Sequence, residues 1–212
     1  MIKGRPAATA EEPGTRLRIL QSAARLFRTR GYASTSLRDI ANAAGLKAGS
    51  LYNHFASKEA IVTDILNMGV QTVFDRVRAA VERLDDEAPC RELLRAAILA
   101  HLTCLLGEDN FTSANIRIFA HVPPHVRDTT LPMRHAYEAY WLDLLKRCRA
   151  QRVIPARLDA KVASMYLFGA MNWSLEWYRP GRHSVEQLAD DLAALFLTEP
   201  RSSVSADVAR AR

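Results

Sequence analysis

Cysteine is scarce in this 212-residue sequence. The three that occur are far apart, at Cys90, Cys104 and Cys148. This spacing argues against a disulfide framework and a CxxC zinc cluster, and it is typical of free thiols in a reducing compartment, so we expect a cytoplasmic protein. Long apolar runs are also absent. The longest, Met165 to Met171, is too short to span a bilayer, and the basic N-terminus lacks the apolar stretch of a signal peptide, so we expect no membrane partner.

Motifs of enzymes and metal sites are missing as well. The sequence contains no P-loop, no nucleophile elbow and no dinucleotide-binding glycine motif, so we expect no enzymatic activity and no cofactor, with a small helical enzyme as the distant alternative. Several potential metal ligands stand near one another without regular spacing, at His101, Cys104, His121, His125 and His135. A metal sensor would need three or four convergent ligands, and we therefore expect no metal.

Positive charge is concentrated in the first quarter of the chain. Residues 1–58 contain ten Lys/Arg and three Asp/Glu, a net charge of +7, whereas residues 59–212 contain nineteen Lys/Arg and twenty Asp/Glu, a net charge of −1. A basic module on a nearly neutral body indicates a polyanionic partner, most simply nucleic acid. The alternative is a solvated basic surface without a partner.

Apolar residues recur at three- and four-residue spacing, which predicts an all-α fold. The first predicted helix buries one face and ends at Gly31; the members of that face are Leu17, Leu20, Ala24 and Phe27. Residues able to cap later helices stand at Ser36 (with Asp39), Ser57, Asp159 and Ser184 (with Gln187). The two prolines between His121 and His125 predict an interruption, with a helix from Met133 to Arg152 following it.

Two short helices joined at a glycine lie inside the basic segment. Ala41 is small enough for close helix approach, and Gly45 permits a left-handed backbone in the turn. In the next helix, from about Ala48 to Phe55, Leu51 and Phe55 would face the core, which leaves Gly49 and Asn53 on the opposite face. This arrangement predicts a helix-turn-helix whose exposed face enters a major groove of DNA.

The segments Phe27 to Ala41 and Gly45 to Ala60 resemble the DNA-binding domain of TetR-family transcriptional regulators. The resemblance spans about residues 15–62. It implies an all-α homodimer with a three-helix helix-turn-helix domain and a divergent helical ligand domain, which usually represses transcription until a small molecule releases it from a palindromic operator. The expected division is a disordered basic arm over 1–14, the DNA-binding domain over 15–60, a ligand-binding and dimerisation domain over 61–199, and a disordered tail over 200–212.

The resemblance assigns contacts with phosphates or base edges to Ser36, Arg38, Ser50, Tyr52, His54 and Lys58. Many relatives have Ser and then Lys where Lys47 and Ala48 stand here, so the cap of the recognition helix is absent and the basic residue has moved. We expect Lys47 still to reach a phosphate, and base reading to fall on Gly49, Ser50 and Asn53. Alternatively, Tyr52 and His54 pack within the domain, and Lys58 is an ordinary helix-start lysine.

The last two predicted helices carry apolar stripes that we expect to form a four-helix dimer interface; these residues are Val162, Tyr166, Gly169, Trp173, Leu188, Leu192, Leu195 and Phe196. A surplus of aromatic residues elsewhere predicts an apolar effector pocket with a few polar anchors. Its expected members are Phe111, Arg117, Phe119, His121, Arg134, Tyr137, Trp141, Phe168 and Trp177. The alternative is that these side chains pack a solid core.

The segment from Trp173 to Gly181 is also similar, more weakly, to TetR-family members that control lipid or acyl-CoA catabolism. This similarity favours a fatty-acyl or acyl-CoA effector, with Arg117 or Arg134 meeting a phosphate or carboxylate. Two alternatives remain for the function: a regulator that activates transcription, or one that responds to a protein partner.

Overall fold

The computed structural model describes residues 13–85, 87–107 and 110–197. Within these ranges the chain is helical and contains no β-strand. The α-helices are α1 (Pro13–Arg30), α2 (Leu37–Ala43), α3 (Ala48–Leu51), α4 (Lys58–Glu82), α5 (Cys90–Leu106), α6 (Asn110–Ile118), α7 (Pro124–Ala150), α8 (Ala160–Trp177) and α9 (Val185–Phe196), with a 3-10 turn at Phe119–His121. The all-α prediction is confirmed. Residues 1–12 of the arm predicted over 1–14, and the tail predicted over 200–212, lie outside the described residues.

Helix starts follow the caps that the sequence predicts. The Ser36 hydroxyl accepts a hydrogen bond from the Asp39 amide (3.1 Å), and the Asp39 carboxylate accepts one from the Ser36 amide (2.9 Å). Ser184 and Gln187 form the same reciprocal box at the start of α9. Each box satisfies two amides that the first helical turn leaves unpaired. Single side-chain caps begin α4 and α8, at Ser57 and Asp159.

Several predicted boundaries were wrong by a turn or more. Helix α1 begins at Pro13, so the end of the predicted disordered arm is helical. Helix α3 ends at Leu51, and the next three residues form a turn. Helix α7 begins at Pro124 and not at Met133. A proline fits the first helical position, whose amide would be unpaired anyway, so the second proline of the interruption starts this helix.

The N-terminal core is built by α1 to α4 and is closed by α6. Ile19, Phe27, Ile40 and Leu51 have no exposed surface, whereas Leu17, predicted for the inner face of α1, is exposed. The buried face of α1 therefore runs through Ile19 and Leu20, Ala23 and Ala24, and Leu26 and Phe27. The residues of α6, of α7 and of the connection between them that join this core are Phe111, Ala114, Ile118, Val122 and Val126.

The second core lies among α4, α5, α7, α8 and α9. Trp141 is its largest fully buried side chain. The three cysteines are free and buried, as expected for thiols that take no part in a disulfide. No helix in the described part of the chain is long and apolar enough to cross a bilayer. Because α4 and α7 contribute residues to both cores, they join the first domain to the second.

Candidate DNA-binding face and effector cavity

The turn between α2 and α3 is held by backbone hydrogen bonds around Gly45. Its φ of 70° is the left-handed conformation that favours glycine. The Leu46 amide donates to the carbonyl of Ala41 (2.9 Å), which closes the turn. Lys47 precedes α3 and provides no side-chain cap, as the sequence predicts. The turn and the burial of Ile40 and Leu51 together hold the two helices in a helix-turn-helix arrangement.

The predicted reading face of α3 is exposed. Leu51 and Phe55 are buried, and Gly49 and Asn53 point away from the core. Tyr52 retains 59% of its surface, so it is not the packed aromatic of the alternative interpretation. A shallow hollow beside Tyr52 is lined by Ser36, Leu37, Arg38 and Ala48. Lys47 is exposed near this hollow, whereas Ser50 and His54 are half-buried. The DNA contacts of all these residues remain predictions.

Lys58 serves the fold of the DNA-binding domain. Its ammonium donates to the carbonyls of Tyr32 (2.9 Å) and Thr35 (3.0 Å) and lies 4.0 Å from the centre of the Tyr32 ring. Partial burial lowers the pKa of Lys58, and the neighbouring Glu59 opposes this shift. Two of the three ammonium hydrogens therefore hold the α1–α2 loop, a role that the sequence analysis did not foresee.

Arg16 was also not foreseen. Its guanidinium donates to the carbonyl of His54 (3.0 Å), forms an ion pair with Asp64 and lies 4.2 Å from the centre of the Phe55 ring. One side chain of α1 thus holds both the end of the recognition segment and the first turns of α4. A basic residue in a basic segment carries no sequence signal that would separate this role from a DNA contact.

A cavity of about 510 Å³ opens in the C-terminal domain. Its apolar lining comes mainly from α4, α6, α7 and α8, and includes Val70, Val73, Ile116, Leu142, Met165 and Phe168. The polar lining consists of His101, Thr112, Asn115, Arg134, His135, Tyr137, Glu138, Lys161, Ser164 and Asn172. The exposed members, His135, Glu138, Lys161 and Met165, mark its mouth.

Arg134, Tyr137 and Phe168 are the predicted ligand residues that line this cavity. The others lie elsewhere, for reasons that differ. Phe111 packs into the N-terminal core, and Phe119 lies under the Arg134 guanidinium, 3.8 Å from its ring centre. Arg117 is exposed and pairs with Glu176 (3.1 Å). The remaining three are the exposed His121, the fully buried Trp141 behind the cavity wall, and the half-exposed Trp177.

A buried polar chain runs along one wall of the cavity. Nδ1 of His101 is 2.8 Å from the Tyr137 hydroxyl, and Nε2 is 3.3 Å from Oδ1 of Asn172. Burial disfavours the imidazolium and lowers the pKa of His101 to about 4, so the ring is neutral at pH 7. Burial likewise raises the pKa of Tyr137. The sequence analysis did not single out Asn172.

Arg134 connects the cavity to α4 through Asn115. The guanidinium donates to Oδ1 of Asn115 (2.6 Å), and the Asn115 amide donates to the carbonyl of Leu66 in α4 (2.6 Å). Burial lowers the pKa of Arg134, and Nε is buried without a hydrogen-bond partner. In the same region α6 and α4 are in backbone contact. A Cβ at Gly69 would lie 2.6 Å from the carbonyl oxygen of Phe111.

The predicted dimer residues fall into two groups. The first is exposed on this chain, with Tyr166 at 62%, Trp173 at 67% and Leu195 at 81%; Val162 and Gly169 are exposed beside them. The second group is half-buried against the chain's own C-terminal core and consists of Leu188, Leu192 and Phe196. The exposed group is thus free to meet a partner, whereas the second group already serves the fold of one chain.

Comparison with known proteins identifies the family. Residues 19–65 match the model described as "Bacterial regulatory proteins, tetR family", and residues 87–199 match "Tetracyclin repressor-like, C-terminal domain". The chain is 30% identical over 179 residues to the HTH-type transcriptional repressor KstR2 of Rhodococcus jostii, an alignment that covers 82% of this chain and 84% of that protein. The chain belongs to the TetR family. It is a helix-turn-helix transcriptional regulator of that type, as the sequence predicts.

Solved structures of TetR-family proteins share the whole fold. The structure of AibR in complex with isovaleryl coenzyme A and operator DNA has a TM-score of 0.77 at 26% identity and covers 86% of this chain and 97% of that one. The ketosteroid transcriptional regulator KstR2 of Mycobacterium tuberculosis has a TM-score of 0.72 at 25% identity, with coverage of 92% and 100%. TetR-family proteins are transcriptional regulators and generally not enzymes.

Proposed function

We propose that this TetR-family protein binds a palindromic operator as a homodimer and is released by a small, mainly apolar effector that carries an anionic head, first of all an acyl-CoA thioester. The observation that carries the proposal is the polar link from the cavity to α4. Arg134 in the cavity wall holds Asn115, and Asn115 holds the backbone of α4 at Leu66. An effector at Arg134 therefore acts on α4, which contributes to both the DNA-binding core and the cavity wall.

The lining of the cavity supports this effector class. Its apolar walls suit an acyl chain or another hydrocarbon skeleton, because binding buries apolar surface on both sides. Arg134 and Lys161 bring two cations to the lining, and Glu138 brings one anion. Burial lowers the pKa of the half-buried Arg134 guanidinium, and the charge of Glu138 only partly opposes this shift, so an anionic group of a ligand would offset the remaining cost of burial. The isovaleryl coenzyme A complex of AibR is consistent with such a ligand.

The contact between α4 and α6 provides a route for the signal. Gly69 lets the two backbones touch, and the Thr112 hydroxyl donates to the Gly69 carbonyl (3.2 Å). Helix α6 also packs against α1 through Phe111, Ala114 and Ile118. A shift of α6 by the effector therefore moves α4 and the DNA-binding core together. The required bias is modest, because a differential affinity of about 5.5 kcal/mol takes a two-state equilibrium from 1:99 to 99:1.

A dimer would turn this movement into release from DNA. Two recognition helices that enter successive major grooves must stand about 34–36 Å apart. The exposed stripe of Val162, Tyr166, Gly169 and Trp173 offers a surface for a second copy of α8. A rotation of α4 in both protomers changes the spacing of the helices, and the dimer then fits its operator poorly.

The test combines DNA release with a matched pair of arginine variants. We expect isovaleryl-CoA or a longer acyl-CoA to raise the melting temperature and to release the protein from its own upstream DNA in a gel shift. Arg134→Met should lose both responses. Arg117→Met is the control, because Arg117 lies outside the cavity lining and is exposed. Equal responses of the two variants would contradict the assigned site.

Two results would favour the alternatives. A protein that stays on its DNA in the presence of every acyl-CoA, fatty acid and apolar aromatic tested would respond to a protein partner instead. A reporter gene that loses expression when the regulator is deleted would identify an activator. The same gel shift, performed without any effector, separates both alternatives from a chain that does not bind DNA.

A further inference from the structure

In the polar chain of Tyr137, His101 and Asn172, the donor and the acceptor of each hydrogen bond can be assigned. A neutral imidazole has one N–H, and Oδ1 of Asn172 can only accept, so Nε2 of His101 carries the hydrogen. Nδ1 is then an acceptor, and the Tyr137 hydroxyl must donate to it. The direction therefore runs from Tyr137 through His101 to Asn172. It leaves the two amide hydrogens of Asn172 at the end of the chain.

Packing holds this chain in place. His101 and Tyr137 are buried, and their rings are stacked with centroids 6.1 Å apart. The rings of Trp141 and Phe168 meet the imidazole edge-on, at 6.2 and 5.9 Å. Rotation of the imidazole would disturb all of these ring contacts. The position of the Asn172 amide is thus set by a rigid aromatic cluster and not by its own flexible torsions.

The Asn172 amide faces the cavity as a hydrogen-bond donor. Asn172 is part of the lining, and its oxygen is taken by His101. The structure gives its amide nitrogen no acceptor among the described residues. A ligand that covers this nitrogen must supply an acceptor, because it displaces the water to which the donor would otherwise bond and a donor buried without a partner is unfavourable.

We infer that Asn172 selects effectors with a carbonyl oxygen, which accepts a hydrogen bond from its oriented amide, and that His101 and Tyr137 are the positioning residues for this contact. The inference rests on the proposed function and narrows its ligand class. In an acyl-CoA the acceptor is the oxygen of the thioester. Arg134 and Asn172 then recognise different parts of one ligand, the anionic head and the carbonyl.

Matched ligands that differ by one oxygen test this inference. Isovaleryl-CoA and S-isopentyl-CoA have the same branched chain, but the thioether lacks the carbonyl oxygen; octanoyl-CoA and S-octyl-CoA form a second pair. By isothermal titration we expect the thioester to bind at least about fivefold more tightly, the ratio that one hydrogen bond supports. In Asn172→Asp, which keeps the shape and removes the N–H donors, the ratio should fall to about one. Arg117→Met, a change outside the cavity lining, should keep it.

The outcomes separate this inference from the proposed function. Equal binding of thioester and thioether by the unmodified protein overturns the role of Asn172 and leaves the effector class intact. Binding of neither compound, with DNA binding preserved, overturns the effector class. In that case nitrogen-15 NMR of the histidines decides the inference without a ligand. The Nε2–H tautomer of His101 at pH 7 supports the oriented chain, and the Nδ1–H tautomer overturns it, because the Asn172 amide would then point its nitrogen at the ring.

Discussion

A lysine side chain can either stabilise the fold or bind DNA, and its neighbours in the structure determine which. Lys47 is exposed at the start of α3, and none of the described residues forms a hydrogen bond or ion pair with its ammonium. Lys58, eleven positions later, binds two carbonyls of the α1–α2 loop and an aromatic face. Phosphate neutralisation releases counterions and gives binding a salt dependence, whereas a hydrogen bond within the fold contributes to stability.

The two lysines should therefore respond differently to replacement by alanine. Lys58→Ala should lower the free energy of unfolding by about 1–3 kcal/mol, because two charge-assisted hydrogen bonds are lost. Lys47→Ala should leave stability unchanged and reduce the slope of log affinity against log salt by about one. Thermal melts and gel shifts at several salt concentrations measure both quantities. If Lys58→Ala left the stability unchanged and reduced the slope of log affinity against log salt, Lys58 would contact a phosphate, as the sequence analysis expects.

His101 should make stability depend on pH. Its pKa is about 4 in the folded protein and about 6.5 in the unfolded chain. Between these values the unfolded state binds the extra proton, so stability is complete above about pH 6.5 and falls as the pH drops toward 4. The shift corresponds to a loss of about 3 kcal/mol. In His101→Gln, the free energy of unfolding from urea melts should vary less between about pH 4 and pH 6.5. The same variation as in the unmodified protein would contradict the assignment.

Spacing predicted the exposed face of the recognition helix. Leu51 and Phe55 are four positions apart and both are buried, so the residues on the opposite face are exposed. The roles of Arg16 and Asn172 could not be predicted. Each depends on a residue distant in sequence, Asp64 for Arg16 and His101 for Asn172. A periodic pattern identifies the face on which a residue lies, but it does not identify the residue across from it.

At the scale of elements, local chemistry predicts where helices begin more reliably than what they contact. The boxes at Ser36 and Ser184 were predicted because all of their atoms lie within four residues. The role of α6 was not predicted. Its Phe111 was assigned to the effector pocket but packs beneath the DNA-binding domain, while its Asn115 lines the cavity. Both positions follow from the close approach of α6 to α4.

Gly69 should control this approach. In Gly69→Ala the new Cβ would lie 2.6 Å from a backbone oxygen of α6, so the two helices must separate. We expect a loss of about 1–3 kcal/mol in stability, typical of overpacking, together with weaker DNA binding. Gly14→Ala is the matched control, because that helical glycine has nothing within 4 Å of an added Cβ. Differential scanning calorimetry and gel shifts measure both effects. Equal stability and equal DNA binding of the two variants would contradict the role of the α4–α6 contact.

At the scale of the whole molecule, the apolar surface of α8 requires a partner more clearly than that of α9. Tyr166 and Trp173 leave most of their surface in solvent, and large exposed apolar patches mark interaction sites. Leu192 packs against the core of its own chain, so a charge there would disturb folding as well as association. A test of the dimer therefore belongs on α8, at a position whose side chain the single chain does not bury.

Tyr166→Glu meets this requirement. The exposed side chain contributes little to the fold of one chain, but in a two-fold interface each new carboxylate would be buried unpaired, at a cost of several kcal/mol. We expect light scattering at micromolar concentration to show a folded monomer, with weaker operator binding because the two half-sites are no longer read together. Tyr52→Glu makes the same change at an exposed tyrosine of the DNA face. It should remain a dimer and lose DNA affinity through repulsion from phosphates. A stable dimer of Tyr166→Glu would move the interface away from α8.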